Sequence, residues 1–392
     1  MTKTAWTTRD LLCLILLSAA AFALLNAASG GITKFIADTD KPSPVYGDFC
    51  EYYYPAGRMI TKHPQPLGGY FYTPIFALAL TFFTPDSAAD AITRWQILQH
   101  CSIFLLFIVP GMYLAAKTGK KIWFFLYALV FLLSFPLWHN LKWGQMSVLI
   151  TFSAIFSLLL YERGHRWSAA FLLASGSLIK YYPGTLIFYF LIRKDFAFIA
   201  RFTALMLIMG LILPGFVLGT SETIEFYRLL HEELDHALDW VAFDLNSQFL
   251  PHVVIRLFGL EAEAATRGIL SLISLGVCLL LFFKLYQLHS DNQQDFMLAA
   301  SGIFLLFPLL INTSWPHYFV YLPFCGLLLL QKAKTSFIRA IIAIALIMQS
   351  CLIYALSDYQ FYAGNGFLLV ANLLLLGAWF RIQKKTPGSG RI

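Results

Sequence analysis

Charge is what this chain has least of: 12% of its 392 residues are Asp, Glu, Lys or Arg, against 59% that are hydrophobic. So few charges cannot solvate a globular surface of this size, which excludes a soluble protein and indicates a polytopic membrane protein whose core is the helix bundle itself. The chain also has no fixed-period repeat, low-complexity tract or soluble domain, so it reads as one integral membrane unit over 1–392. Its cysteines, Cys13, Cys50, Cys101, Cys278, Cys325 and Cys351, show no paired spacing and mostly fall in apolar runs, so no disulfide framework is expected. Gly-rich phosphate loops and nucleophile elbows are missing. In His231-Glu232-Glu233-Leu234-Asp235-His236 the second ligand position of a zinc helix is Asp235, so no metal is expected there. The formal net charge of +7 is assigned to cytoplasmic loops, and no nucleic-acid partner follows from it.

What the chain does have is apolar runs, at 11–28, 95–116, 122–138, 147–161, 167–179, 183–192, 199–218, 267–286, 296–311, 317–331, 337–355 and 366–380. They predict an all-α bundle of about twelve transmembrane helices. The first run is read as a helix rather than a cleaved signal, because Asn26-Ala27-Ala28-Ser29-Gly30 matches a cleavage site only loosely. Segments 167–179 and 183–192 are short and joined at Lys180-Tyr181-Tyr182-Pro183-Gly184, a pattern that predicts a broken pair around a buried polar site. Segment 70–83 is read as interfacial, since spanning would flip every later basic loop outward. With both termini in the cytoplasm, Lys117, Arg163, Arg166, Arg193, Lys332 and Arg339 stay inside. The acids then collect in two long outer loops, 29–94 and 219–266, and the stretch 222–240 reads as an amphipathic interfacial helix carrying Ile224, Leu230 and Leu234.

Two groups of residues carry chemistry. Asp48 and Glu51 stand three apart in Tyr46-Gly47-Asp48-Phe49-Cys50-Glu51-Tyr52, among tyrosines that continue to Tyr70 and Tyr72. A carboxylate in an aromatic loop just outside a first helix is suited to act as a general base toward a lipid-borne substrate. The second group is a set of cations at the outer ends of helices: Lys142, Lys180, Arg256 and His317. Charges at a membrane boundary are costly and tend to face a polar cavity, where a phosphate is the natural partner. Trp143-Gly144-Gln145 and Asn246-Ser247-Gln248 match no general catalytic motif.

Taken in order, Gly47-Asp48-Phe49 with Tyr52, Tyr70-x-Tyr72-x-Pro74, Trp143-Gly144-Gln145, Ile179-Lys180-Tyr181-Tyr182-Pro183, Asn246-Ser247-Gln248 and Trp315-Pro316-His317 resemble glycosyltransferase family 87 over roughly residues 10–330. These are membrane mannosyltransferases of the GT-C superfamily that use polyprenyl-phosphate-mannose. The resemblance implies Asp48 as catalytic base and Lys180, His317 and Gln145 around the donor phosphate, with Arg256 or Lys142 assisting. It leaves Glu51, Tyr52, Tyr72 and Gln248 for acceptor contacts or sugar stacking. It further implies a lipid-linked sugar as co-substrate, no essential metal or other cofactor, and a glycolipid, glycan or protein acceptor. The expected setting is the outer face of a bacterial cytoplasmic membrane. A carrier of lipid-linked sugars and a lipid-linked glycan ligase or polymerase also fit basic groups near a membrane boundary.

Overall fold

The computed structural model describes residues 46–85, 87–260, 264–290 and 295–383; the run 11–28, Cys13 and the C-terminal tail lie outside them. Among the described residues every regular element is helical, apart from one isolated bridge between Ser134 and Ser350. Three helices are long and apolar enough to cross a membrane, Ala88–Thr118, Phe196–Leu218 and Ala265–His289, and shorter apolar helices pack around them. Among the described residues the expected bundle of about twelve spans thus has three clear members, because many of the runs break into pieces.

Proline explains most of the breaks. The run 122–138 divides into Ile122–Leu132 and Phe135–Trp143, the second carrying Pro136 in its first turn. Proline has no N–H to give the preceding turn, so it starts a helix more readily than it continues one. The run 337–355 breaks without a proline, into Ser336–Met348 and Cys351–Ala355, the second capped by Ser350, whose side chain accepts from Leu352 N–H. The two breaks lie side by side and satisfy each other: Phe135 N–H donates to Gln349 O at 2.9 Å, Cys351 N–H donates to Leu133 O at 2.7 Å, and Ser134 Oγ donates to Gln349 Oε1 at 3.0 Å. Irregular backbone at membrane depth survives only where protein supplies such partners.

The segment 183–192 opens as a tight turn, Tyr182–Leu186, and becomes α-helical over Ile187–Ile192. Together with Arg166–Ile179 it leaves Lys180 in an extended conformation at the junction. Segment 70–83 forms the helix Pro74–Leu80 and a short turn, Thr81–Phe83. At about 1.5 Å per residue it is far too short to cross a bilayer core of about 30 Å.

Aromatic side chains fill the interior, Trp95 and Trp379 among the fully buried ones, while Phe216, Leu272, Leu280 and Phe283 stand exposed on the long apolar helices as a surface suited to lipid. Ala88–Thr118 spans the bundle with different chemistry at its two ends. Near its C-terminus Lys117 pairs with Asp295 at 2.8 Å, and Lys332 pairs with the same carboxylate at 3.0 Å. Near its N-terminus Trp95 and Gln99 hold the loop that carries Gln145. The ion-paired basic end and the polar cavity therefore lie at opposite ends of one long helix.

Deep in the bundle Asn372 ties two further elements together: it accepts from Tyr321 Oη at 2.9 Å and donates to Leu305 O at 2.7 Å. Replacing it with an apolar isostere strands both partners. Asn372→Leu should lower the stability of the purified protein by about 1–2 kcal/mol, read from denaturant or thermal unfolding in detergent.

Candidate active site

The site is built around a glycine. Gly144 ends the helix Phe135–Trp143 in the left-handed conformation, with φ 66°. A Cβ there would lie 3.0 Å from Tyr46 Cβ and 3.1 Å from both Phe49 Cβ and Trp95 Nε1. Only glycine permits this backbone and this approach at once. Trp95 Nε1 donates to Gly144 O at 2.9 Å and Gln99 Nε2 donates to Gln145 O at 2.8 Å. Asn140 donates its amide to Gln99 Oε1 at 2.9 Å and accepts at its own oxygen from Val148 N–H at 3.3 Å. The Asp48 loop is docked on the same corner, through Tyr46 N–H donating to Lys142 O at 2.8 Å and Phe49 stacked on Trp95 with ring centroids 4.6 Å apart.

This corner aims the Gln145 side chain at three segments. Its Nε2 donates to Asp48 Oδ2 in a short hydrogen bond. Its Oε1 accepts from Lys180 Nζ at 3.0 Å, Tyr53 Oη at 2.9 Å and Tyr72 Oη at 3.0 Å. One carboxamide thus carries the carboxylate on its donor side and the ammonium on its acceptor side. Lys180 is also held over the faces of Tyr318 at 4.5 Å and Tyr72 at 5.1 Å. Burial pushes the Asp48 carboxyl up to about 6, against the opposing pull of the Gln145 hydrogen bond and the Lys180 charge, with Glu51 adding a smaller upward push.

Behind Lys180 stands a histidine pair. Lys180 Nζ lies 3.5 Å from His317 Nε2, His317 Nδ1 lies 3.3 Å from His139 Nδ1, and His139 Nε2 lies 3.4 Å from Tyr359 Oη. The two imidazoles stack with centroids 5.4 Å apart and are 3% exposed each.

These groups line one cavity of about 480 Å³. Of the residues singled out in the sequence, Asp48, Tyr52, Tyr72, Gln145, Lys180 and His317 meet on its wall. Lys142 does not line it: its ammonium is buried 4.9 Å over the ring of Trp143. Arg256 is a clamp instead, donating to Asp244 O at 2.9 Å and Ser247 O at 2.6 Å. Gln248 is spent on backbone, its N–H on Ser314 O at 2.7 Å and its Nε2 on Ala363 O at 3.0 Å, and so fixes the loop that brings in Trp315 and His317. Glu51 is exposed and is not on the cavity wall, since the turn Phe49–Tyr53 is a wider π-type helix on which residues three apart do not share a face.

The sequence reading missed His139, Trp143, Trp315, Glu233, His236 and Asp244, all on the cavity wall. His139 had a signal, since it stands four residues before Trp143 and shares its helix face. The amphipathic stretch is a helix over Thr220–Val241. Its buried stripe runs through Thr223, Phe226 and Leu230, Ile224 faces outward, and Glu233, Leu234 and His236 reach the cavity; the side chains of Leu238 and Trp240 lie outside the described residues.

The profile of glycosyltransferase family 87 matches residues 70–313. No match was found among curated proteins. The match spans well over half of the chain and takes in Gln145 and Lys180, while Asp48 and His317 fall just beyond its two ends. The chain belongs to glycosyltransferase family 87, and it is a membrane glycosyltransferase.

The glycine corner can be tested directly. Gly144→Ala should cost about 1 kcal/mol or more of stability from the left-handed backbone alone. It should lower glycosyl transfer by more than that loss explains, because the Asp48 loop must shift; thermal unfolding beside steady-state transfer separates the two.

Proposed function

We propose that the protein transfers a single sugar, mannose foremost, from a polyprenyl-phosphate donor to an acceptor hydroxyl at the outer face of a bacterial cytoplasmic membrane, with inversion at the anomeric carbon. The observation that carries this reading is the sharing of the Gln145 carboxamide by Asp48 and Lys180 on one cavity wall. Such a pair suits displacement of a phosphate by an alcohol. The acceptor oxygen forms its bond to the anomeric carbon as its proton passes to Asp48. The bond from that carbon to the phosphate oxygen breaks, and its electron pair leaves with the polyprenyl phosphate. Asp48 acts as general base, and the Lys180 ammonium meets the charge that grows on the departing phosphate.

Attack from the face opposite the phosphate turns a β-linked donor into an α-glycoside. A fixed ammonium can do for one phosphate what a divalent ion does elsewhere, so turnover in EDTA is expected. The aromatic rings of Tyr52, Trp143 and Trp315 suit the apolar faces of sugars, while Glu233 and Asp244 suit hydroxyl groups of a glycolipid or glycan acceptor. Membership of a glycosyltransferase family weighs against a carrier of lipid-linked sugars. A ligase of whole glycans would differ in the mass of its product.

Purified protein given polyprenyl-phosphate-mannose labelled in the sugar, with membrane lipid extract as acceptor and EDTA present, should make a product heavier than the acceptor by one hexose. Asp48→Asn should reduce transfer by ~10²–10⁴-fold while leaving donor binding intact; near-normal turnover would remove Asp48 from the mechanism. Lys180→Ala should raise the donor KM, slow transfer, or both.

The reaction should also report the raised carboxyl. A base works only when ionised, and Asp48 is held at about 6. Between pH 4 and 6 kcat/KM should therefore climb by about tenfold per unit. A profile flat across that window would rule out Asp48 as the titrating base.

A further inference from the structure

We infer that His139 is a positioning residue for the donor phosphate, acting through His317 on Lys180. The inference rests on the proposed role of Lys180 as the phosphate's partner. It follows from counting protons along the buried chain. An ammonium only donates, so Lys180 Nζ, 3.5 Å from His317 Nε2, requires a lone pair on that nitrogen. A neutral His317 then carries its proton on Nδ1. That nitrogen lies 3.3 Å from His139 Nδ1, which must supply a lone pair in turn. His139 therefore bears its proton on Nε2, 3.4 Å from the Tyr359 oxygen, which can accept it. The groups in the chain thus take one consistent set of states, set by the charge on Lys180, with Asn246 a further hydrogen-bond partner of His139.

Without an acceptor at the Nδ1 position of residue 139, the buried Nδ1–H of His317 loses its partner. Its cheapest escape is to move the proton to Nε2, which turns a donor toward the ammonium. Lys180 would then lose one of the two hydrogen bonds, to Gln145 and to His317, that leave its third N–H free for a phosphate oxygen. His139 thus acts at a distance from the reacting atoms, and its effect is on how the donor is held.

The test compares three substitutions. Asn places its side-chain oxygen where the imidazole has Nδ1, Gln reaches instead to the Nε2 position, and Leu keeps apolar volume without an acceptor. Binding of a short-chain polyprenyl phosphate to the purified protein, and donor KM and kcat in sugar transfer, are measured for each. His139→Leu and His139→Gln should weaken probe binding and raise donor KM on the order of tenfold to a hundredfold, the worth of one hydrogen bond to a charged group, with a smaller change in kcat. His139→Asn should recover most of the loss. If the imidazole served only to fill space, Asn would be the worst of the three and Leu the best; that order, or a Leu variant equal to wild type, overturns the inference. Because the probe carries no sugar, binding is read apart from transfer. Wild-type protein that binds the probe yet transfers nothing sinks the proposed reaction and leaves the positioning role to stand on the binding order. Wild-type protein that does not bind the probe sinks both.

Discussion

The arrangement of this molecule hangs on one carboxamide. Gln145 gives its N–H to Asp48 and takes Lys180, Tyr53 and Tyr72 on its oxygen. An amide is the side chain that can do this, since it is neutral, donates at one end and accepts at the other. A carboxylate there would repel Asp48, and an ammonium would repel Lys180. The amide keeps base and cation close without joining them in a direct ion pair, which would quench both.

Holding Gln145 in that pose needs support from every side. The left-handed Gly144 turns the chain, Trp95 and Gln99 fix its carbonyls from the long helix, and Asn140 locks Gln99 in turn. Such a network is rigid only when each member is satisfied. The same logic governs the broken helices at Ser134 and Ser350, where exposed backbone groups of one break pair with those of the other. The bundle can therefore tolerate irregular backbone and use it to bring chain from distant segments to the cavity.

Several site residues were legible in the sequence because their chemistry is expensive in a membrane. Lys180 between two short apolar segments and Asp48 in a tyrosine-rich loop stand out against an apolar chain. The tripeptides around Gly144 and Gln248 matched no general catalytic motif, and only the resemblance gave Gln145 a place by the donor phosphate. Their work is to shape backbone: Gly144 opens the space for the Asp48 loop, and Gln248 spends its hydrogen bonds on holding the loop before His317. Arg256 and Lys142 looked like phosphate ligands because each is a cation at a helix end, a property that says nothing of which way the side chain turns.

The sequence by itself determined an all-helical chain with apolar helices suited to a membrane, because hydrophobic length is a local property that the bilayer reads directly. It also determined which residue types were available for proton transfer and phosphate binding. Only the tertiary structure decided that Asp48, Gln145, Lys180, His317 and His139, spread across four separate stretches of chain, meet around one cavity, while Arg256 and Lys142 do not. That decision belongs to packing: a hydrogen bond forms or fails over a few tenths of an ångström, and such distances are fixed by the sum of many contacts that no local pattern encodes.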